Sequence, residues 1–354
     1  MSQQSPLPQA ESGTSGTVLV TGGAGFLGSA LVRELVARGV RVRVLVRRAK
    51  QAEEQWRLGA EPILGDVADR SALEAGLDGV SCVYHLAGKL LEPGEPPEQY
   101  RCTHVEGTQL LLECARQVSS LRRFVHCSTT GVLGPTGDKP ADEEAPMRPS
   151  NVYEATKSEA ELAVRAAIQL GLPGVIVRPG LVYGPGDWHL LKFYDAILRR
   201  QFRPIGRREV WLHPIYIDDM THAFVRCASE SKAVGECLNV AGQEVVSLAQ
   251  LADTIARAGG TFLPVGRIPL ALAWVAALTF DALPARLRQR APLTRDRLDF
   301  LTHSRVYDVE KAFEILNFRA KTDLVTGVGR TMAWYLESTS ERPPRTVPRV
   351  AVAD

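Results

Sequence analysis

Val18-Leu-Val-Thr-Gly-Gly-Ala-Gly-Phe-Leu-Gly-Ser-Ala30 reads as a short apolar strand running into Gly22, Gly25 and Gly28, then into an amphipathic helix. A dinucleotide pyrophosphate needs this order of elements. The strand ends, the glycines let the backbone turn tightly and approach the phosphates, and the helix N-terminus offers unpaired N–H groups with a partial positive charge. Glycine-rich turns also join strands to helices with no ligand present. It is the strand before and the helix after that give this one its weight.

Working outward, the first helix is expected over Ser29 to Arg38, followed by Val40-Arg-Val-Arg-Val-Leu-Val46, whose period-two alternation reads as a second strand. The residues after that strand bear on cofactor choice. An acid there binds adenosine ribose hydroxyls, whereas arginine accommodates a 2′-phosphate. The chain has Arg47-Arg48 and Lys50, with no acid before Glu53, so NADP(H) is the preferred cofactor and NAD(H) stays open. A third strand reads from Glu61 to Asp66-Val67, and a fourth from Val80 to Gly88, ending in Leu86, Ala87 and Gly88. Helical periodicity covers Arg101 to Gln117, and a further strand ends in Ser128 and Thr129. Strands alternating with helices at this spacing predict an α/β fold with a doubly wound parallel sheet. In such sheets ligands bind at the carboxyl ends of the strands, where Gly22 to Gly28, Arg47, Asp66, Ala87 and Ser128/Thr129 all fall.

Tyr153-Glu-Ala-Thr-Lys157 opens a helical segment reaching about Leu170. Residues four apart share a helix face, so Tyr153 and Lys157 point the same way. Bringing a phenol from a pKa near 10 to about 7 asks for roughly 4 kcal/mol, which a neighbouring ammonium helps to supply.

Length and composition set the bounds. The chain has 354 residues, enough for one large or two coupled domains. Its 45% apolar and 23% charged content supports a sizeable core, and a formal net charge of +2 argues against a dedicated nucleic-acid binder. Cys82, Cys102, Cys114, Cys127, Cys227 and Cys237 show neither CxxC nor metal spacing, so reduced thiols are expected, with no metal site. Residues 1–16 lack the apolar core of a signal peptide and are expected to form a disordered leader, with 338–354 a loose tail. No apolar run is long enough to span a bilayer, and the cytoplasm is the expected compartment.

Taken together, Thr21-Gly-Gly-Ala-Gly-Phe-Leu-Gly28, Asp66-Val67, His85-Leu-Ala-Gly88, Ser128-Thr129, Tyr153 with Lys157, Arg178-Pro-Gly-Leu-Val-Tyr-Gly-Pro185 and His213-Pro-Ile-Tyr-Ile-Asp-Asp219 resemble the extended short-chain dehydrogenase/reductases, over roughly Thr17 to Leu336. The resemblance implies a Rossmann-type domain (17–182 plus about 210–243) and a smaller, mostly helical substrate domain (about 183–209 plus 244–337). It implies that Tyr153 is the general acid/base and that Lys157 holds the nicotinamide ribose and lowers the tyrosine pKa. A hydroxyl from Thr129 or Ser128 would bind the substrate carbonyl. Gly22, Gly25, Phe26, Leu27, Gly28, Arg47, Arg48, Asp66, Val67, Leu86, Ala87, Gly88, Tyr153, Lys157, Pro179 and Val182 would contact the cofactor. Many members carry Asn in place of His104, which leaves a proton relay through that position an open question.

Nucleotide-sugar epimerases and dehydratases of the family carry Asn at the position of Leu181. The apolar residue here looks more like the 3β-hydroxysteroid dehydrogenase and dihydroflavonol reductase branch. The resemblance thus implies a ketone/alcohol oxidoreductase with a largely apolar substrate, either sterol-like, acyl or aryl. A nucleotide-sugar enzyme with tightly bound NAD and a non-catalytic NADP(H) sensor are the alternatives. Ile268 to Phe280 carries no charge, and arginines follow it. It reads either as a core helix or as one lying against lipid or substrate, which leaves peripheral membrane contact through 268–283 open. A homodimer is equally open. His189, His222 and His303 read as surface or satisfied core histidines, and His213 as structural at the domain junction.

Overall fold

In a parallel sheet covered on both sides, each strand must be apolar on both faces. The computed structural model, which describes residues 16–137, 139–288 and 291–340, shows that arrangement. Strands β1 (Thr17–Thr21), β2 (Arg41–Val46), β3 (Glu61–Leu64), β4 (Val80–His85), β5 (Arg123–Cys127), β6 (Gly174–Pro179) and β7 (Cys237–Val240) form one parallel sheet in the order β7-β6-β5-β4-β1-β2-β3. Successive side chains point to opposite faces. Tyr84, Val125, Val175 and Val177 enter one core together with Leu31, Leu35, Met220 and Phe224. Val83, Phe124 and Ile176 enter the other, with Leu73, Leu111 and Val164.

Among the described residues the first ten α-helices are α1 (Phe26–Ala37), α2 (Ala49–Arg57), α3 (Arg70–Leu77), α4 (Pro97–Arg101), α5 (Gly107–Ala115), α6 (Val152–Gln169), α7 (Leu191–Leu198), α8 (Ile217–Ser229), α9 (Leu248–Ala258) and α10 (Leu270–Asp281). Helices α1 and α8 contribute to the first core and α3, α5 and α6 to the second. A third apolar cluster lies beyond the carboxyl edge of the sheet, where Tyr194, Ile197, Leu251 and Ile255 meet Val328 and Met332.

Several expectations shift. Helix α1 begins at Phe26, three residues earlier than expected, because Gly25 already ends the turn. The helical stretch expected over Arg101 to Gln117 is interrupted by a π-helical turn at Cys102–Glu106. The last helix runs over Leu324–Ser340, so its final turn enters the stretch expected to be loose. The buried Met332 and Tyr335 anchor that helix on α9 and α7. Residues 1–15 and 341–354, where the leader and most of the tail were expected, lie outside the described residues. All six cysteines are free.

Candidate active site

The sheet reverses its winding between β1 and β4, the switch point at which α/β folds bind ligands. Gly22 sits there with φ +73°, and a Cβ on it would lie 2.6 Å from the backbone of Leu86 and Ala87. At Gly28 a Cβ would lie 2.1 Å from the Gly22 carbonyl oxygen, so only glycine lets α1 pack this close to β1. The Gly25 N–H donates to Gly22 O at 3.0 Å. Gly25 caps α1 without a side-chain acceptor, and the first turn holds no acid. That leaves the N–H groups of α1 free for an anion. The turn fits a dinucleotide pyrophosphate.

From the turn opens a cleft of about 600 Å³. Phe26, Leu27, Arg47, Asp66, Val67, Leu86, Ala87, Gly88, Pro179 and Val182 line it, as do Ser128, Thr129, Tyr153, Lys157 and the three glycines. Arg48 is the exception. It is exposed, its backbone caps α2, and it is not part of the cleft wall. Neighbours at a strand end diverge, and Arg47 takes the inner position. Its Nε lies 3.7 Å from Asp66 Oδ2 with both side chains well exposed, an ion pair worth little on its own.

At the other end, the start of α6 is locked by capping. Asn151 Oδ1 accepts from Glu154 N–H at 3.0 Å. Glu154 Oε2 accepts from the Ser150 N–H at 2.7 Å and its hydroxyl at 2.8 Å. This fixes the turn carrying Tyr153. The Thr129 hydroxyl stands near enough to the Tyr153 phenol to favour its ionised form, and Thr129 Oγ1 accepts from Gly131 N–H at 3.0 Å. Lys157, one turn on and buried, donates through Nζ to the Cys127 carbonyl at 2.6 Å.

The expected lowering of the tyrosine pKa is not what this geometry produces. Burial pushes the Tyr153 phenol above its ordinary value, the neighbouring Cys127 thiol adds to that, and the Thr129 hydrogen bond opposes it. Burial also lowers Lys157. The lysine spends its short hydrogen bond on a backbone carbonyl, and the phenol stays protonated at neutral pH.

Ser128 and Thr129 face different partners. The buried Ser128 hydroxyl donates to Glu161 Oε2 at 2.6 Å. Glu161 in turn receives a two-pronged pair from Arg178, Nε at 3.0 Å and Nη2 at 2.8 Å. Burial works to raise Glu161, but the Arg178 hydrogen bonds and charge outweigh it and hold the carboxyl below its ordinary range. Ser128 therefore belongs to a buried strut joining β5, α6 and β6, leaving Thr129 as the hydroxyl beside Tyr153.

His104 lies in the π-helical turn, its ring edge-on to Tyr153 with centroids 5.5 Å apart. The Lys89 N–H donates to its Nε2 at 2.9 Å, so Nδ1 carries the proton and meets Thr156 Oγ1 at 2.8 Å. The Thr156 hydroxyl donates in turn to the Val152 carbonyl at 2.8 Å. The chain ends on backbone. Burial, with Lys157 nearby, lowers the His104 pKa to about 3. His104 is a neutral strut between the 88–91 loop and α6, and the geometry gives it no relay role.

Other wall residues escaped the sequence reading. Leu90, Leu91, His189, Leu190, Phe300 and Arg305 line the far half of the cleft. His189, read from sequence as a surface or core residue, thus stands in the cleft wall. Arg305 Nη2 donates to Asp299 Oδ2 at 2.8 Å and lies 3.5 Å from Glu154 Oε1, tying the C-terminal part of the chain to the turn that carries Tyr153. His213 is structural, as expected, with Nε2 against the Gly242 carbonyl at 2.8 Å.

A glycine turn at the switch point and a Tyr–Lys pair on the same sheet edge define an NAD(P)-dependent oxidoreductase acting on CH–OH and C=O groups. The chain belongs to the NAD-dependent epimerase/dehydratase family, whose sequence model matches residues 18–241. It is 31% identical to the 4-hydroxy-2-methyl-3-oxo-4-farnesyl-3,4-dihydroquinoline-1-oxide ketoreductase of Stigmatella aurantiaca, over 85% of this chain and 91% of that one. It is 32% identical to sterol demethylase protein B of Methylococcus capsulatus, over 80% and 82%. The crystal structure of gox2253 superposes with a TM-score of 0.74 at 27% identity, covering 92% of this chain and 99% of that one.

Proposed function

We propose that the protein reduces a ketone to a secondary alcohol, or runs the reverse reaction, on a largely apolar substrate with NADP(H). The observation that carries this reading is the Tyr153–Thr129 pair, set in a cleft whose other walls include Leu90, Leu91, Leu181, Leu190, Leu212 and Phe300. Such walls favour alkyl or ring carbons and leave one polar corner for the reacting oxygen. Leu181 is an alkyl group where nucleotide-sugar enzymes of the family carry asparagine. The ketoreductase and sterol enzyme among the relatives point the same way.

Gly22, Gly25 and the first N–H groups of α1 would hold the pyrophosphate of the dinucleotide, with Lys157 on its ribose. Arg47, the basic residue of the cleft wall after β2, would meet a 2′-phosphate. When bound, the nicotinamide supplies or accepts the hydride. The chain's own residues handle the proton. Thr129 Oγ1 already accepts from Gly131 N–H, and its O–H, directed at the Tyr153 phenol, would turn to a substrate carbonyl bound beside both. Tyr153, held protonated by burial, donates to the oxygen as it gains charge. The Lys157 ammonium, fixed to the Cys127 carbonyl, lies one turn away and favours the phenolate left behind. The reverse reaction uses the same groups in the opposite order.

The test is turnover of NADPH and NADH with a panel of sterol, aryl and acyl ketones. NADPH-dependent reduction of at least one apolar ketone is expected. Protein that purifies with stoichiometric NAD and oxidises no NADPH with any ketone would contradict the reading.

A further inference from the structure

Helix α10 offers an unusual surface. Leu272 and Val275 are each 63% exposed, Leu278 52% and Trp274 44%. Its buried residues are Ala273 and Ala277, which pack on Ile205 and Leu298. Small residues thus face the protein and large apolar ones face outward, the reverse of what folding alone would select. Among the described residues no helix is long and apolar enough to cross a membrane.

The patch extends beyond the helix. Val265, 98% exposed, and Phe262, 60% exposed, stand just before it. Arg200 lies over the Phe262 ring at 3.7 Å, and Arg203 Nε donates to the Val265 carbonyl at 3.4 Å. Arg207 and Arg208 follow in the same exposed loop. Arg267, at the foot of α10, reaches the Gly206 and Arg208 carbonyls at 3.3 Å. An ion pair at 3.1 Å joins Arg267 to Glu209, and at the far end Asp281 is paired with Arg295 at 2.7 Å.

We infer that α10 and the 199–208 loop dock on an anionic lipid surface, with Leu272, Trp274, Val275 and Leu278 entering the interface and the arginines meeting lipid phosphates. Charge decides the occupant. A second copy would bring the same basic border to the contact, whereas an anionic bilayer complements both the apolar helix and its arginines. The surface also backs onto the cleft, since Leu298 and Leu301 pack beneath α10 on the helix Arg295–Thr302, whose Phe300 lines the cleft. Taking an apolar substrate from lipid rests on the function proposed above; the docking itself does not.

The full-length protein is sedimented with vesicles of phosphatidylcholine alone and of phosphatidylcholine with phosphatidylglycerol, at low and high salt. Binding is expected with the anionic vesicles and release at high salt. Leu272→Glu with Val275→Glu should weaken it by about tenfold or more, and each of Arg207→Ala and Arg208→Ala by about fivefold. NADPH turnover on a water-soluble ketone should be unchanged in all of them. Trp274 fluorescence in the unmodified chain gives a second readout, because brominated lipid in anionic vesicles should quench a component that Trp274→Phe lacks. Absence of binding, equal binding to neutral vesicles, or no Trp274 quenching overturns the proposal. So does a dimer that Leu272→Glu splits without any effect on vesicles.

Discussion

Lys157 Nζ lies 2.6 Å from the carbonyl oxygen of Cys127, so the lysine one turn beyond Tyr153 is anchored to the end of β5, the strand that delivers Thr129. This bond ties α6 to the end of β5. Lys157→Met keeps the alkyl packing but removes the donor and the charge. It should lower kcat by about two orders of magnitude or more and weaken cofactor binding, as steady-state kinetics and NADPH titration would show.

Ser128 and Thr129 have different partners, Glu161 and Gly131. Ser128→Ala strips a donor from buried Glu161 Oε2 and should cost about 1–3 kcal/mol of stability while leaving kcat within a few-fold. Thr129→Ala should lower kcat by about tenfold or more, at a stability cost of about 1 kcal/mol for the lost cap on the Gly131 N–H. Equal kinetic effects from the two would remove Thr129 from its place beside the substrate.

Acid sensitivity follows from the buried histidines of β4, β5 and the π-helical turn. Burial lowers both His85 and His104 to about 3, with the Lys157 charge adding to it, and His126 is lowered by the same causes. Below the ordinary histidine pKa of 6.5 the unfolded chain takes up protons that the folded chain refuses. Their contribution is intact above that pH and falls as the pH drops toward 3, by about 1.4 kcal/mol per pH unit for each ring. Urea unfolding at pH 7 and pH 5 should show this loss. His104→Asn should shrink it by about one ring's share.

The proposed 2′-phosphate contact is tested at Arg47. Arg47→Ala should raise the KM for NADPH by about tenfold and leave that for NADH unchanged, while Arg48→Ala, outside the cleft wall, should alter neither. A shift confined to Arg48→Ala would reassign the 2′-phosphate contact.

The parts legible in the sequence are those that local rules fix. The turn from Gly22 to Gly28 and the Tyr153–Lys157 spacing depend on residues a few positions apart, and period-two alternation marks the second strand; the third and fourth end at Leu64 and His85, short of the expected Val67 and Gly88. The parts that escaped depend on distant packing. Arg305 reaches Glu154 across 151 positions, through isolated bridges such as Leu212 to Arg305 that carry no periodic signal. His104 finds its role in Lys89 and Thr156, 15 and 52 positions away. The apolar run from Ile268 to Phe280 fits a core helix or a surface one equally well, because it lacks polar residues to mark an outer face. Only its neighbours, packing against Ala273 and Ala277, decide which side stays uncovered.

The role proposed for Tyr153 is to move the proton in an NADP(H)-dependent ketone reduction. Its most direct test is Tyr153→Phe, followed by NADPH titration and by kcat on the best ketone of the panel. NADPH affinity within a few-fold of the unmodified protein, with kcat lower by about two to four orders of magnitude, is the predicted result. A Tyr153→Phe protein that turns over at the unmodified rate would contradict it.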